Sequence, residues 1–63
     1  MFKPNDEVEF DYMGLSRTGL ILDISQRQIM NNVNTCIRII PTNSKIPITI
    51  NLTLFPHAIR FRK

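Results

Sequence analysis

Apolar and polar residues alternate with a period of two along most of this chain, and no segment shows a convincing helical period. Between residues 7 and 12, Val8, Phe10 and Tyr12 share one face while Glu7, Glu9 and Asp11 share the other. That spacing predicts a half-buried strand with an acidic outer surface. Residues 13–16 predict a turn in which Gly14 is free to take positive φ. A second strand is predicted over residues 17–25. Its alternation blurs because Leu20, Ile21, Leu22 and Ile24 are all apolar. Burial on both faces where the strand bends would account for this, with Gly19 as the site of the bend or bulge.

Residues 26–34 are polar and amide-rich and predict the longest loop, although Ile29, Met30 and Val33 fall at i, i+1 and i+4, compatible with one helical turn. The third strand covers residues 35–40, with Ile37 and Ile39 inward and Arg38 outward. Residues 41–44 have turn composition. The fourth strand, residues 45–54, alternates best: Ile46, Ile48, Ile50, Leu52 and Leu54 lie on one face. Pro47 lacks a ladder donor, which predicts an edge or a strand beginning there. Residues 55–58 form a turn, and residues 59–63 close the chain as a short fifth strand. The expected core includes Phe10, Phe55 and Phe61. Five short strands without a helix predict an all-β domain, closed or nearly closed into a small barrel, because an open sheet leaves edges and one apolar face uncovered.

Composition narrows the options. With 63 residues, 43% of them hydrophobic, the chain suits a single domain spanning residues 1–63. A domain of this size hides only about 60% of its unfolded surface. One cysteine rules out an internal disulfide, and no cluster of Cys and His predicts a metal site. Stability must then come from dense apolar packing or from a partner, including a homodimer that pairs through Ile40 or Ile21. The first residues hold no apolar h-region, and the longest apolar run is Leu20-Ile21-Leu22. Neither a secretory signal nor a membrane span is expected, and a free thiol fits a cytoplasmic location. Asn51-Leu52-Thr53 matches a glycosylation sequon but is better read as strand chemistry without a signal.

The net charge of +3 conceals a division along the chain. Residues 1–23 hold all five acids with only Lys3 and Arg17, a net of −3; residues 24–63 hold six bases and no acid, a net of +6. A basic half suggests a surface for phosphate backbones.

The segment Gly19-Leu20-Ile21-Leu22-Asp23-Ile24 resembles the glycine-hydrophobic core of the KOW motif, and Lys3-Pro4-Asn5-Asp6-Glu7-Val8 resembles the entry to such barrels. The order of elements resembles the Src-homology-3-like small barrel: four strands, one short helical turn and a closing fifth strand, with residues 55–58 where the turn would be. The resemblance implies binding of RNA, DNA or protein, often through the loop between the first two strands (residues 13–17). That loop carries a single basic residue, Arg17. The resemblance also implies antiparallel pairing of the first and last strands, which would set Glu7, Glu9 and Asp11 beside Arg60, Arg62 and Lys63. Arg17, Arg27, Arg38 and Lys45 would then remain as the uncompensated cations.

Two functions follow as expectations. The first is a non-enzymatic nucleic-acid-binding small barrel, accessory to transcription, translation or DNA handling. Arg17, Arg27, Arg38 and Lys45 would contact phosphates, and Tyr12 is a base-stacking candidate as well as a core residue with its hydroxyl at the rim. The alternative is a protein-interaction module, or a small inhibitor of a host protein of the kind phages and mobile elements encode. It would use Ile29 and Met30 in the 26–34 segment, or add a strand along the edge near Pro47. Catalysis is not expected: His57 has no second ligand at metal spacing, and Cys36 reads as a semi-buried strand residue rather than a nucleophile. No Gly-rich phosphate loop occurs, so no cofactor is implied.

Overall fold

The computed structural model describes residues 2–62. Five antiparallel strands form one sheet in the order β4-β3-β2-β1-β5, where β1 is Glu7–Tyr12, β2 Leu15–Ile29, β3 Asn32–Pro41, β4 Ile48–Asn51 and β5 Ile59–Phe61. No helix occurs among the described residues. The sheet is not closed, and β4 and β5 are its two edges.

The first hairpin follows from Met13-Gly14. Both residues have positive φ, 52° and 78°, and they join the facing pair Tyr12↔Leu15. Two positive φ values are the signature of a type I′ turn, whose twist matches that of paired strands. Before β1, the Lys3 N–H donates to the Asp6 carboxylate (3.0 Å), and Asn5 takes a φ of 72°. This turn delivers residues 5 and 6 to β2, where they exchange backbone bonds with Ile21 (2.8 and 3.0 Å).

The blurred stretch of β2 has a different cause from burial on both faces. The β2–β3 register shifts between Ile21 and Asp23, leaving Leu22 as an extra residue. A bulge of one residue exchanges the two faces of a strand. Ile21 pairs with Ile39 before it and Ile24 with Ile37 after it, so both point into the core, while Leu20 and Leu22 remain exposed on the outside. The bulge therefore lies at Leu22 and not at Gly19. Gly19 serves another need: a Cβ placed there would meet the Ile40 carbonyl oxygen at 2.5 Å. The buried side chains are Val8, Phe10, Ile21, Ile37, Ile39, Ile50 and Ile59, flanked by Phe2, Ile24, Ile48, Leu52 and Ala58. Ile21 is thus a core residue and presents no surface for self-association.

Three further expectations are corrected. Residues 26–34 are not a long loop but the distal rungs of β2 and β3, closed by Met30-Asn31, with Met30 at a φ of 55°. The amides that suggested a loop occupy a ribbon that is exposed throughout residues 26–33, so polar residues suit both its faces. The fourth strand is shorter than 45–54. At one end Pro41, in the phase of Ile37 and Ile39 that bonds toward β4, has no donor to continue the ladder. At the other, Asn51 stops the strand by accepting the Leu54 N–H on its side chain (3.1 Å) and the Phe55 N–H on its carbonyl (3.0 Å). Ile46 and Leu54 consequently leave the core face and are exposed. Phe55 follows that turn outward, and Phe61 stacks on Phe2 with ring centroids 4.6 Å apart, so both are exposed too. The closing strand is described only to Phe61, and Lys63 lies outside the described residues.

Candidate interaction surfaces

The charges divide into those the sheet uses internally and those it leaves over. β1 and β5 pair antiparallel with Glu9 opposite Arg60. The Arg60 guanidinium donates to Glu9 (2.9 Å) and to both oxygens of Asp11 (3.1 Å each). Arg62 approaches Glu7 at 3.8 Å. The acidic first strand and the basic last strand are therefore each other's partners over the described residues. On the outer face of the β2–β3 rung, Arg38 likewise donates to the Asp23 carboxylate.

The Arg60 hydrogen bond outweighs the desolvation that opposes it and, with the Arg60 charge adding to it, holds the Asp11 carboxyl below its ordinary 3.8. Arg38 does the same for Asp23. Both arginines are raised in return, Arg60 chiefly by its hydrogen bonds to Asp11 and Glu9. A carboxyl with a lowered folded value adds stability that is fully present above its unfolded value and is lost as pH falls through the folded one. The urea midpoint should be flat at pH 5 and above and should decline below about pH 4. All these groups are solvent-exposed, so the decline should be modest and should shrink in 0.5 M salt. Asp11→Asn and Asp23→Asn together should flatten it, and an unchanged acid limb in the double variant would contradict this account.

The remaining cation candidates do not converge. Arg38 is neutralised by Asp23 and lines a shallow outer hollow with Arg27. Arg17 pairs with Phe10 and so shares the opposite face. Lys45 lies in the 42–47 connection, which leaves the β2–β3 ladder at its Gly19–Pro41 end, whereas Arg27 sits toward the other end. Tyr12 is partly exposed at the end of β1. The structure brings Arg27 and Arg38 together and leaves Arg17 and Lys45 apart from them.

A comparison with protein-family models gives no match, and comparisons with curated proteins and with solved structures give none either.

Exposed apolar side chains are more concentrated than the cations, at two places. The first is the arm. β1 pairs with β2 only as far as Leu20, and β4 with β3 only from Cys36. Past Asn34, whose side-chain oxygen accepts from Asn51 (3.2 Å), the β2–β3 ribbon continues with no strand on either side among the described residues. At its end stand Ile29, Met30 and Val33, exposed by 47, 90 and 60%. The molecule is 36 Å long against 23 and 22 Å across, in keeping with such a projection. The second place is a hollow of about 620 Å³ beside the β4 edge, with walls that include Tyr12, Met13, Leu54, Phe55 and Pro56.

His57 also borders this hollow, and its carbonyl accepts from Arg60 (3.3 Å). Cys36 is buried on β3. Among the described residues no group of three or more His, Cys, Asp or Glu side chains able to hold a metal occurs, and no helix is long and apolar enough to cross a membrane. Sequence reading found Ile29 and Met30 but missed Val33 as a surface residue, and it missed the Tyr12–Leu54–Phe55 hollow because Leu54 and Phe55 were assigned to the core. The available signal was Asn51, a strand-stopping side chain three residues before Leu54.

Proposed function

We propose that this protein is a protein-interaction module whose two-stranded arm presents Ile29, Met30 and Val33 to a folded protein partner. The observation that carries this reading is the exposure of those three side chains on a ribbon that makes no contribution to the core. An isolated two-stranded hairpin is marginal in water, and Met30 holds a positive φ that non-glycine residues adopt at an energetic cost. A connection serving only the fold would be shorter, with Gly or Asn at that turn position. Aromatic, Met and aliphatic anchors on a protruding element are what a partner's pocket takes.

The nucleic-acid reading draws less support from the geometry, because its cations spread over both faces and both ends of the β2–β3 ladder. A small Src-homology-3-like barrel remains the architecture we propose for the chain. The antiparallel β1–β5 pairing supports it, as that pairing is what the resemblance implies.

The test is capture from nuclease-treated lysate with the full chain and with the Ile29→Ser, Met30→Ser variant. A stoichiometric protein recovered by the first and reduced at least tenfold with the second is the expected result. Salt-sensitive binding to DNA or RNA that the double variant retains and Arg27→Ala weakens would overturn the reading in favour of nucleic acid.

A further inference from the structure

We infer that the free edge of β4 is a strand-addition site for an extended peptide segment of a partner protein, with one bulky apolar side chain of that peptide seated in the Tyr12–Leu54–Phe55 hollow. This site lies apart from the arm and does not depend on it.

The hydrogen-bond phase of β4 identifies the free groups. The Leu52 N–H donates to the Thr35 carbonyl (2.8 Å), and the rungs Ile37↔Ile50 and Ile39↔Ile48 continue that pairing. In an antiparallel ladder alternate residues bond to the same neighbour. Ile48 and Ile50 therefore bond toward β3, while Thr49 and Asn51 direct their N–H and C=O groups away from the sheet. The Asn51 carbonyl is taken by the Phe55 N–H (3.0 Å). Among the described residues the Thr49 N–H, the Thr49 C=O and the Asn51 N–H remain without a partner. Pro47, one step earlier in the same phase, has its missing donor on the outer side, so it leaves the ladder to β3 intact and limits the edge to these groups.

A row of alternating donors and acceptors at strand spacing is complemented by another extended backbone. The hollow beside it supplies what backbone pairing lacks, a place for a side chain: Thr49, Ile50 and Asn51 form one wall, and Tyr12, Met13, Leu54 and Phe55 are among the others. Leu54 and Phe55, which line this hollow, are exposed by 65 and 60%. A second copy of the chain fits less well than a foreign peptide. Paired edge to edge, it would offer Ile48 and Ile50 toward this face, and Ile50 is already buried in its own core.

The probe is an acetylated, amidated ten-residue peptide of alternating threonine and valine with one central phenylalanine. Its control is the same peptide N-methylated at the four central amides. The expected result is slowed hydrogen exchange at the Thr49 and Asn51 amides with the first peptide, and at least tenfold weaker binding of the methylated copy. Thr49→Pro removes an outward donor and should weaken binding at least tenfold while the urea midpoint is kept; should it unfold, the methylated peptide decides alone. Ile29→Ser with Met30→Ser should bind the peptide as the parent does, which separates this site from the arm. Equal binding of both peptides, no binding at millimolar peptide, or a peptide-free dimer already protecting Thr49 and Asn51 would each overturn the proposal.

Discussion

Gly19→Ala is expected to remove a large part of the folding stability and to lower the urea midpoint well below the parent's, whereas Gly14→Ala should cost less. The two glycines of the chain meet different constraints. Gly19 is buried on β2 opposite Pro41. A Cβ there would lie 2.5 Å from the Ile40 carbonyl oxygen, 2.8 Å from Ile39 Cγ2 and 2.9 Å from Pro41 Cα. Two of these three atoms are backbone of the central β3 ladder, so relief requires β3 to move away from β2 across the rungs that hold Ile21 against Ile39. Overpacking of this kind costs about 1–3 kcal/mol and sometimes more. A single core in so short a chain rarely supplies more than about 3–5 kcal/mol. Gly14 has nothing within 4 Å of a built Cβ, and its constraint is only a φ of +78°. Substitution at such a turn position costs roughly 1 kcal/mol. Urea titration by circular dichroism separates the cases: equal midpoints for the two variants would mean that the β2–β3 approach is softer than its geometry implies.

How much of this could be read in advance follows from the range over which each signal acts. β1 was legible to the residue, because Val8 and Phe10 face a core while Glu7, Glu9 and Asp11 face solvent, and period-two alternation survives wherever one face is buried. The Met13-Gly14 turn was legible through Gly14. The pairing of Glu9 and Asp11 with Arg60 was legible through charge order together with the family resemblance. The bulge at Leu22 was not, because a run of Leu20, Ile21 and Leu22 looks the same whether both faces are buried or one residue is skipped. The arm was missed for the opposite reason. Gln26 to Asn34 carry loop-forming side chains, but their pairing is set by the Ile29↔Asn32 closure and by the continuing ladder, a property of two segments and not of either. The end of β4 turned on Asn51 accepting the Leu54 and Phe55 N–H groups in a turn and on Thr53 Oγ1 taking the Thr35 N–H (2.9 Å), local side-chain bonds that alternation does not register. The same error concealed the hollow, since Leu54 and Phe55 become surface residues only once the strand has stopped. Cations were legible as a list but not as a surface, because Arg17 and Arg38 are placed on opposite faces by the register and the bulge together.

Phe10→Ala is expected to produce the largest loss of stability of any single core truncation, about 3–5 kcal/mol. Phe10 is fully buried and heads the large side chains that are. Its rungs set it between Arg17 on β2 and Ile59 on β5. β5 has only three residues, and Ile59 is its one buried side chain. The closing strand is therefore held by the Phe10–Ile59 rung on the inside and by Arg60 with Glu9 and Asp11 on the outside, and the exposed ion pairs are the weaker of the two supports. Phe10→Leu, which keeps an apolar group of smaller volume, should leave the chain folded with a lower urea midpoint. In that variant β5 should loosen first: the Arg62 amide, which donates to the Glu7 carbonyl at 3.3 Å, should exchange faster relative to the Ile37 and Ile39 amides than it does in the parent. As Arg60 is released, the Asp11 carboxyl should titrate closer to its ordinary value, upward from its lowered position, in an NMR pH series. Uniformly faster exchange across all strands, with Asp11 unmoved, would show that β5 is anchored by its charges and that the Phe10–Ile59 contact is secondary.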